Sequence, residues 1–275
     1  VPELPEVETI RRGLRRLEGA TLGDVEVRER AFRRDIDVEA LRALLGRRVR
    51  DIGRRAKYLL FATEHGGGII VHLGMSGRLF MVPQGTPVEP HDHVSWWLDR
   101  DGETVELRLH DPRRFGLVAS CSRGDLRQHP LLAGLGPEPL EQDFSTAYAF
   151  AATRRSRRPI KATLMDARFV VGVGNIYASE ALWHAGINPK TSSGRISRQR
   201  WDRLRLAVVG VLERAVAAGG TTLNDFRDAD GALGYFQIEL SVYGREGQGC
   251  RRCGAPVRRI TQSGRSTFYC PACQH

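Results

Sequence analysis

Four of the chain's five cysteines fall in its last 26 residues, as Cys250-x2-Cys253-x16-Cys270-x2-Cys273. Two C-x2-C pairs offer one ion four thiolates in a tetrahedron, the donor set of a zinc site. With all four positions filled, none is left for water, so the spacing predicts one structural Zn2+ whose binding folds the module. Two disulfides are the other pairing such spacing permits; it is disfavoured because nothing marks the chain as secreted. Between the knuckles, Val257, Ile260 and Thr267-Phe268-Tyr269 alternate as a hairpin does, with Gln262-Ser263-Gly264-Arg265 at its tip. Arg245, Arg251, Arg252, Arg258, Arg259 and Arg265 stand in this module against Glu246 alone, so it presents cations to a partner. Cys121, set apart from the others, reads as a small buried hydrophobe.

The charge points the same way. Residues 1–150 hold 22 Lys and Arg against 23 Asp and Glu, whereas residues 151–275 hold 20 against 9, so the net charge of +10 sits in the second half. A cationic field concentrated in one half fits a polyanion, DNA or RNA being the commonest. Only Lys57, Lys161 and Lys190 are lysine in a chain otherwise rich in arginine, marking places where a compact charge suits better than a planar fork. No apolar run approaches the ~18 residues of a membrane helix, and Val1 to Glu8 is acidic rather than signal-like. The expectation is a cytoplasmic protein with no membrane contact.

The elements that must carry these groups separate into two kinds. Residues 5–18 read as a helix, with Pro5 in its first turn and Val7, Ile10, Leu14 and Leu17 at helical spacing. From about residue 20 to 125, short β-rich runs follow: 25–27, 58–61, 69–71, 94–97, 105–109 and 115–119, with a helix near 38–45. The Gly/Pro cluster from Gly134 to Pro139 reads as a hinge. Helical patterns then span 144–155, 160–166, 178–184 and 198–218, stopped by Gly219-Gly220, and a strand-like run follows over Ile238–Tyr243. The expected class is α+β: an N-terminal antiparallel β-sandwich with flanking helices, a helical module, and the four-cysteine finger. The boundaries expected are 1–133 for the catalytic sandwich, 134–143 for the hinge, 144–240 for the helical DNA-binding domain and 241–275 for the zinc finger.

Several blocks occur in a fixed order: Pro2-Glu-Leu-Pro-Glu-Val-Glu-Thr9, Val71-His-Leu-Gly-Met-Ser-Gly77, Asp111-Pro-Arg-Arg-Phe-Gly116, Val171-Gly-Val-Gly-Asn-Ile-Tyr177, Gly220-Thr-Thr-Leu-Asn-Asp-Phe226, Gly234-Tyr-Phe-Gln237, then the finger. Together they resemble the bacterial formamidopyrimidine-DNA glycosylase and endonuclease VIII family over essentially the whole chain. The resemblance implies that the helical module is a helix–two-turn–helix. It also implies a monomeric bifunctional glycosylase and AP lyase that removes 8-oxoguanine and formamidopyrimidines from double-stranded DNA, then cuts by β- and δ-elimination.

In such an enzyme the nucleophile is the Pro2 amine, attacking C1′ to form a Schiff base. An α-amino pKa near 7.7–8.0 leaves a useful neutral fraction. With Val1 attached, that nitrogen is a tertiary amide, so the resemblance further implies that residue 1 is an initiator residue removed by processing. Glu3 is implied as the acid that protonates the sugar ring oxygen, and Glu6 as a group orienting the amine; Glu8 reads simply as helix N-terminal charge. Lys57 is implied in β-elimination, and Arg265 in δ-elimination and in clamping phosphates.

A glycosylase flips its target out of the stack, and Met75, Arg113 and Phe115 are implied to fill the hole left behind. Taken without the family, Met75 and Phe115 read as core residues. Asn175, after Gly172-Val-Gly174, is implied at a phosphate beside a helix N-terminus. His72, His91, Arg157 and Lys161 match further phosphate contacts, and Thr222 and Tyr235 lie in a segment implied to recognise the lesion. His91-Asp-His93 alone does not make a metal site. Two other readings remain: an endonuclease VIII-like enzyme for oxidised pyrimidines, and a non-catalytic DNA-binding protein.

Overall fold

Val7, Ile10 and Leu14 repeat at helical spacing after Pro5, and all are buried in helix α1 (Leu4–Leu14). A single 3₁₀ turn, Arg15–Leu17, carries Leu17 into the same core before Gly19 turns the chain at φ +88°. The expected helix over 5–18 therefore divides into an α and a 3₁₀ part, as helix ends commonly tighten. In this computed structural model residues 2–83, 85–220 and 240–275 are described. They separate into two units, one built on residues 2–133 with Gly219 and Gly220, the other on 134–218 and 240–275.

In the first unit β1 (Thr21–Val27), α2 (Val38–Arg42), β2 (Val49–Arg55), β3 (Tyr58–Thr63), β4 (Gly68–His72), β5 (Arg78–Val82), β6 (Asp92–Arg100), β7 (Glu103–His110), β8 (Leu117–Cys121) and α3 (Pro130–Ala133) follow α1. The strands form two antiparallel four-stranded sheets, ordered β1-β6-β7-β5 and β2-β3-β4-β8. Leu22, Trp96, Leu98 and Leu107 of one sheet share a core with Ile52, Phe61, Ile69 and Val71 of the other, and α1 joins it. This is the β-sandwich that the succession of short β-rich runs predicts.

Two strands were not expected, and both are sheet edges. β2 shows only Val49 and Ile52 to the core, whereas β5 does carry a signal, the alternation of Leu79 and Met81. The run expected over 115–119 starts later, at Leu117, and leaves Phe115 outside the strand and 46% exposed. Cys121, expected to be buried, is only half-buried on edge strand β8.

The second unit contains α4 (Thr146–Thr153), α5 (Ile160–Leu164), α6 (Asn175–Ala185), α7 (Arg198–Ala217), β9 (Arg258–Gln262) and β10 (Arg265–Tyr269). Ser145 and Ser197 cap α4 and α7, each hydroxyl accepting a backbone N–H of the first turn. α6 is buried along nearly its whole length, so its pattern is apolar all round, and Gly186 ends it at φ +67°. The strand expected over Ile238–Tyr243 does not form in its described part, 240–243. There the backbone N–H groups of Ser241, Val242 and Tyr243 donate to the Glu180 carboxylate at 2.8, 2.9 and 2.9 Å, which replaces a sheet partner. Among the described residues no helix is long and apolar enough to cross a membrane.

Candidate nucleic-acid interface and metal centre

The start of α1 is built to fix the N-terminal peptide. Glu3 is the N-cap, and its backbone N–H donates to Glu6 Oε2 at 2.8 Å. Glu3 and Glu6 are buried while Pro2 beside them is half-buried. The Glu6 carboxylate thus holds the very peptide whose other side carries the Pro2 nitrogen. Gly220 closes over the same group: a Cβ there would lie 3.2 Å from Glu6 Oε1. Glu8 takes the ordinary role expected of it, with Arg11, Arg12 and Arg54 at 2.7, 3.0 and 3.3 Å. Burial raises its pKa, but the hydrogen bonds and charges of these arginines outweigh burial and hold it below the usual carboxylate value.

Arg54 also donates to the Ala56 carbonyl at 2.8 Å, which ties α1 to the β2–β3 turn. Lys57 sits in that turn beside Ala56, whose φ is +54°. Across the next strand pair Tyr58 faces His72, their rings 4.8 Å apart. Burial, then the charges of Lys57 and Arg33, push the His72 pKa down to about 4, so its imidazole is neutral at pH 7. His72 Nδ1 accepts the Gly74 N–H at 3.0 Å, which leaves the proton on Nε2. The ring is a neutral donor set beside a lysine ammonium, a combination suited to an anionic oxygen.

Met75, Arg113 and Phe115 lie on two turns, 73–77 and 111–116, at the ends of the sandwich strands. Phe115 is an exposed ring rather than a core residue, and the Arg113 guanidinium lies 4.6 Å from its centroid. Met75 is half-buried. His91 is exposed at φ +77°, its ring 6.0 Å from those of His93 and His110. No metal-ligand cluster forms around it among the described residues.

In the second unit Asn175 opens α6, and Arg157 is exposed in the loop before α5. Lys161, expected at a phosphate, is only 2% exposed, because its ammonium is turned inward. It donates to Asn175 Oδ1 at 2.6 Å, Thr267 Oγ1 at 2.7 Å and the Ser266 carbonyl at 3.0 Å. One buried cation thus fixes the Asn175 carboxamide and the β10 strand together. Asn175 Nδ2 in turn donates to the Tyr243 hydroxyl at 3.3 Å.

Arg265 begins β10 and is exposed beside a two-residue turn, Ser263-Gly264, in which both residues have positive φ. Behind the hairpin, Cys250, Cys253, Cys270 and Cys273 bring their sulfurs within 4.8 Å of one another. Thiolates at ~2.3 Å from zinc stand about 3.8 Å apart in a tetrahedron, and Cys253 Sγ and Cys270 Sγ are 3.5 Å apart. The donor set and its spacing fit one structural zinc. Trp183 Nε1 donates to Cys250 Sγ at 3.3 Å and anchors the cluster to α6.

Glu180 and Tyr243 are contributors that sequence reasoning missed; the available signal was one acid inside the apolar run of α6. Replacing Glu180 by Gln leaves one acceptor oxygen for three N–H donors and turns an amide N–H against at least one of them. We expect a loss of about 1–3 kcal/mol and faster amide exchange at 241–243, read by thermal unfolding and hydrogen exchange. Unchanged exchange at those amides would refute the tether. The lesion-recognition candidates Thr222 and Tyr235, like Val1, lie outside the described residues.

Comparison with known proteins gives a consistent family pattern. Residues 1–118 match the formamidopyrimidine-DNA glycosylase N-terminal domain, 135–227 the formamidopyrimidine-DNA glycosylase H2TH domain, and 247–275 a zinc finger found in FPG and IleRS. The formamidopyrimidine-DNA glycosylase of Aromatoleum aromaticum is 50% identical over 275 residues, covering 100% of this chain and 99% of that protein. The crystal structure of MutM (Fpg) from Thermus thermophilus is 44% identical with a TM-score of 0.87, over 99% of this chain and 98% of that one. A MutM solved in complex with carbocyclic 8-oxo-G containing DNA is 34% identical with a TM-score of 0.90, over 100% of both chains.

Proposed function

The chain belongs to the formamidopyrimidine-DNA glycosylase family, and from that premise we propose that it attacks its lesions with the Pro2 amine. It is a DNA glycosylase and AP lyase of base excision repair, acting on 8-oxoguanine and formamidopyrimidines in duplex DNA, and it carries one structural zinc on Cys250, Cys253, Cys270 and Cys273. We further propose that it works as a monomer, with 1–133 the catalytic domain, 134–143 a hinge, 144–240 the helical DNA-binding domain and 241–275 the finger.

The observation that carries the reading of Pro2 is the buried Glu6–Glu3 hydrogen bond, which orients the Pro2–Glu3 peptide. The Pro2 lone pair forms a bond to C1′ as the bond to the oxidised base breaks; the base leaves with the bonding pair and takes up a proton, while the amine, now bonded to C1′, gives its proton up to solvent. Glu3 then gives a proton to the ring oxygen as the C1′–O4′ bond opens, leaving a cationic iminium at C1′. That cation acidifies the adjacent C2′ hydrogens, whose loss expels the 3′ phosphate; a second elimination expels the 5′ phosphate. Lys57 and Arg265 supply positive charge to the departing phosphates. His72 donates from Nε2, and Asn175, held by Lys161, offers a fixed carboxamide to the backbone; His91 and Arg157 add exposed donors. Lys161 contributes by holding Asn175 and β10, since its ammonium already serves three acceptors. Met75, Arg113 and Phe115 form the wedge that replaces the flipped nucleotide. Thr222 and Tyr235 are proposed to contact the extruded base. Zinc takes no part in the reaction; it folds the hairpin that presents Arg265.

A nicking assay across a lesion panel, with the N-terminus checked by mass, tests the assignment. Excision of 8-oxoguanine with doubly eliminated ends is expected. Thymine glycol excised in preference would instead assign an endonuclease VIII-like specificity.

A further inference from the structure

The wedge residues stand on two turns, and a fully buried carboxylate at the start of the second bonds to both. Asp111 is 0% exposed. Its Oδ1 accepts the Ser76 hydroxyl at 2.6 Å, beside Met75, and its Oδ2 accepts the Gly116 N–H at 2.8 Å, beside Phe115. The backbone around it is pinned as well: the Asp111 N–H donates to the His91 carbonyl, and the Asp111 carbonyl pairs with His93 Nε2, both at 3.0 Å. The two turns are in near contact, because a Cβ at Gly74 would fall 2.4 Å from the Phe115 carbonyl carbon, where Gly74 has φ +64°.

We propose that Asp111 is a positioning residue that clasps the 73–77 and 111–116 turns into one rigid wedge, so that Met75 and the Arg113–Phe115 pair enter the base stack as a unit. The inference rests on the proposed wedge role of Met75, Arg113 and Phe115. A ring that must insert between stacked bases works only if its backbone does not yield, and these turns have no sheet ladder of their own to stiffen them. The carboxylate supplies that stiffness by bonding both turns from behind.

The test compares two substrates. One carries 8-oxoguanine paired with cytosine, where the wedge must displace a stacked pair. The other carries an abasic site opposite an abasic analogue, where there is least to displace. Asp111→Ala is expected to slow single-turnover excision on the first by on the order of tenfold to a hundredfold, while strand cleavage on the second stays within about threefold. Ser76→Ala, which removes one arm of the clasp, should shift the first substrate in the same direction by less. Asp111→Asn should restore most of the rate, because its carbonyl can accept the Gly116 N–H while its amide donates to the Ser76 oxygen. Equal losses on both substrates would reduce Asp111 to a folding role and overturn the proposal. So would an unimpaired Asp111→Ala variant in an enzyme whose Phe115→Ala variant loses excision. An unimpaired Phe115→Ala variant would instead remove the wedge reading itself.

Discussion

Borohydride reduction on an 8-oxoguanine duplex is expected to trap a covalent adduct at Pro2 when its amine is free, and to trap none when residue 1 is still attached. A peptide-bonded proline nitrogen has its lone pair delocalised into the carbonyl and no proton to lose, so it can neither attack C1′ nor form an iminium. Lys57, the only lysine in residues 1–133, sits on the β2–β3 turn. Removing a nucleophile from a covalent mechanism costs on the order of ten-thousand-fold or more in rate, and the retained residue should produce a loss of that size in both excision and AP-site cleavage. DNA binding should fall far less, because the exposed Arg157 and Arg265 are untouched. Adduct formation by protein whose mass proves residue 1 to be present would overturn the assignment of Pro2.

The reach of the sequence is clearest where it failed. The short β-rich runs of β3, β4, β6 and β7 are a local property, and their succession specified a sandwich whose inner faces carry Phe61, Ile69, Trp96 and Leu107. The cysteine spacing was equally self-sufficient, because four thiolates in two tight turns converge wherever the hairpin closes. Lys161 was different. A basic residue in a basic half reads as a surface cation, and nothing local reveals that Asn175, Ser266 and Thr267, up to 106 positions away, supply acceptors that turn it inward. Likewise Leu240–Tyr243 has the composition of a strand, yet its donors are taken by a carboxylate some 60 residues earlier. In both places a long-range polar partner decided what periodicity could not.

The second large effect concerns the metal. Stripping zinc with a strong chelator is expected to abolish excision and to be reversed by restoring zinc, and Cys253→Ser should reproduce the loss. The finger's own core consists of Trp183, Val242, Cys250, Val257, Phe268 and Cys270, so two of its six buried residues are metal ligands and a third belongs to α6. Zinc binding contributes about 10–16 kcal/mol in isolated finger peptides, at least as much as the four non-ligand side chains of this cluster supply by burial at ~1.5–3 kcal/mol each. Loss of the metal should therefore unfold β9 and β10 and displace Arg265 from its tip. The damage should also spread along the Lys161 bonds. Without β10 the buried ammonium loses the Ser266 carbonyl and the Thr267 hydroxyl, and an underbonded buried cation is costly, so the Asn175 carboxamide it holds should shift too. Amide signals of β9, β10 and the first turn of α6 should broaden or move together on chelation, while those of the β-sandwich stay in place. An apo protein that keeps its α6 signals and its excision rate would show that the finger neither supports Asn175 nor presents a residue the reaction needs.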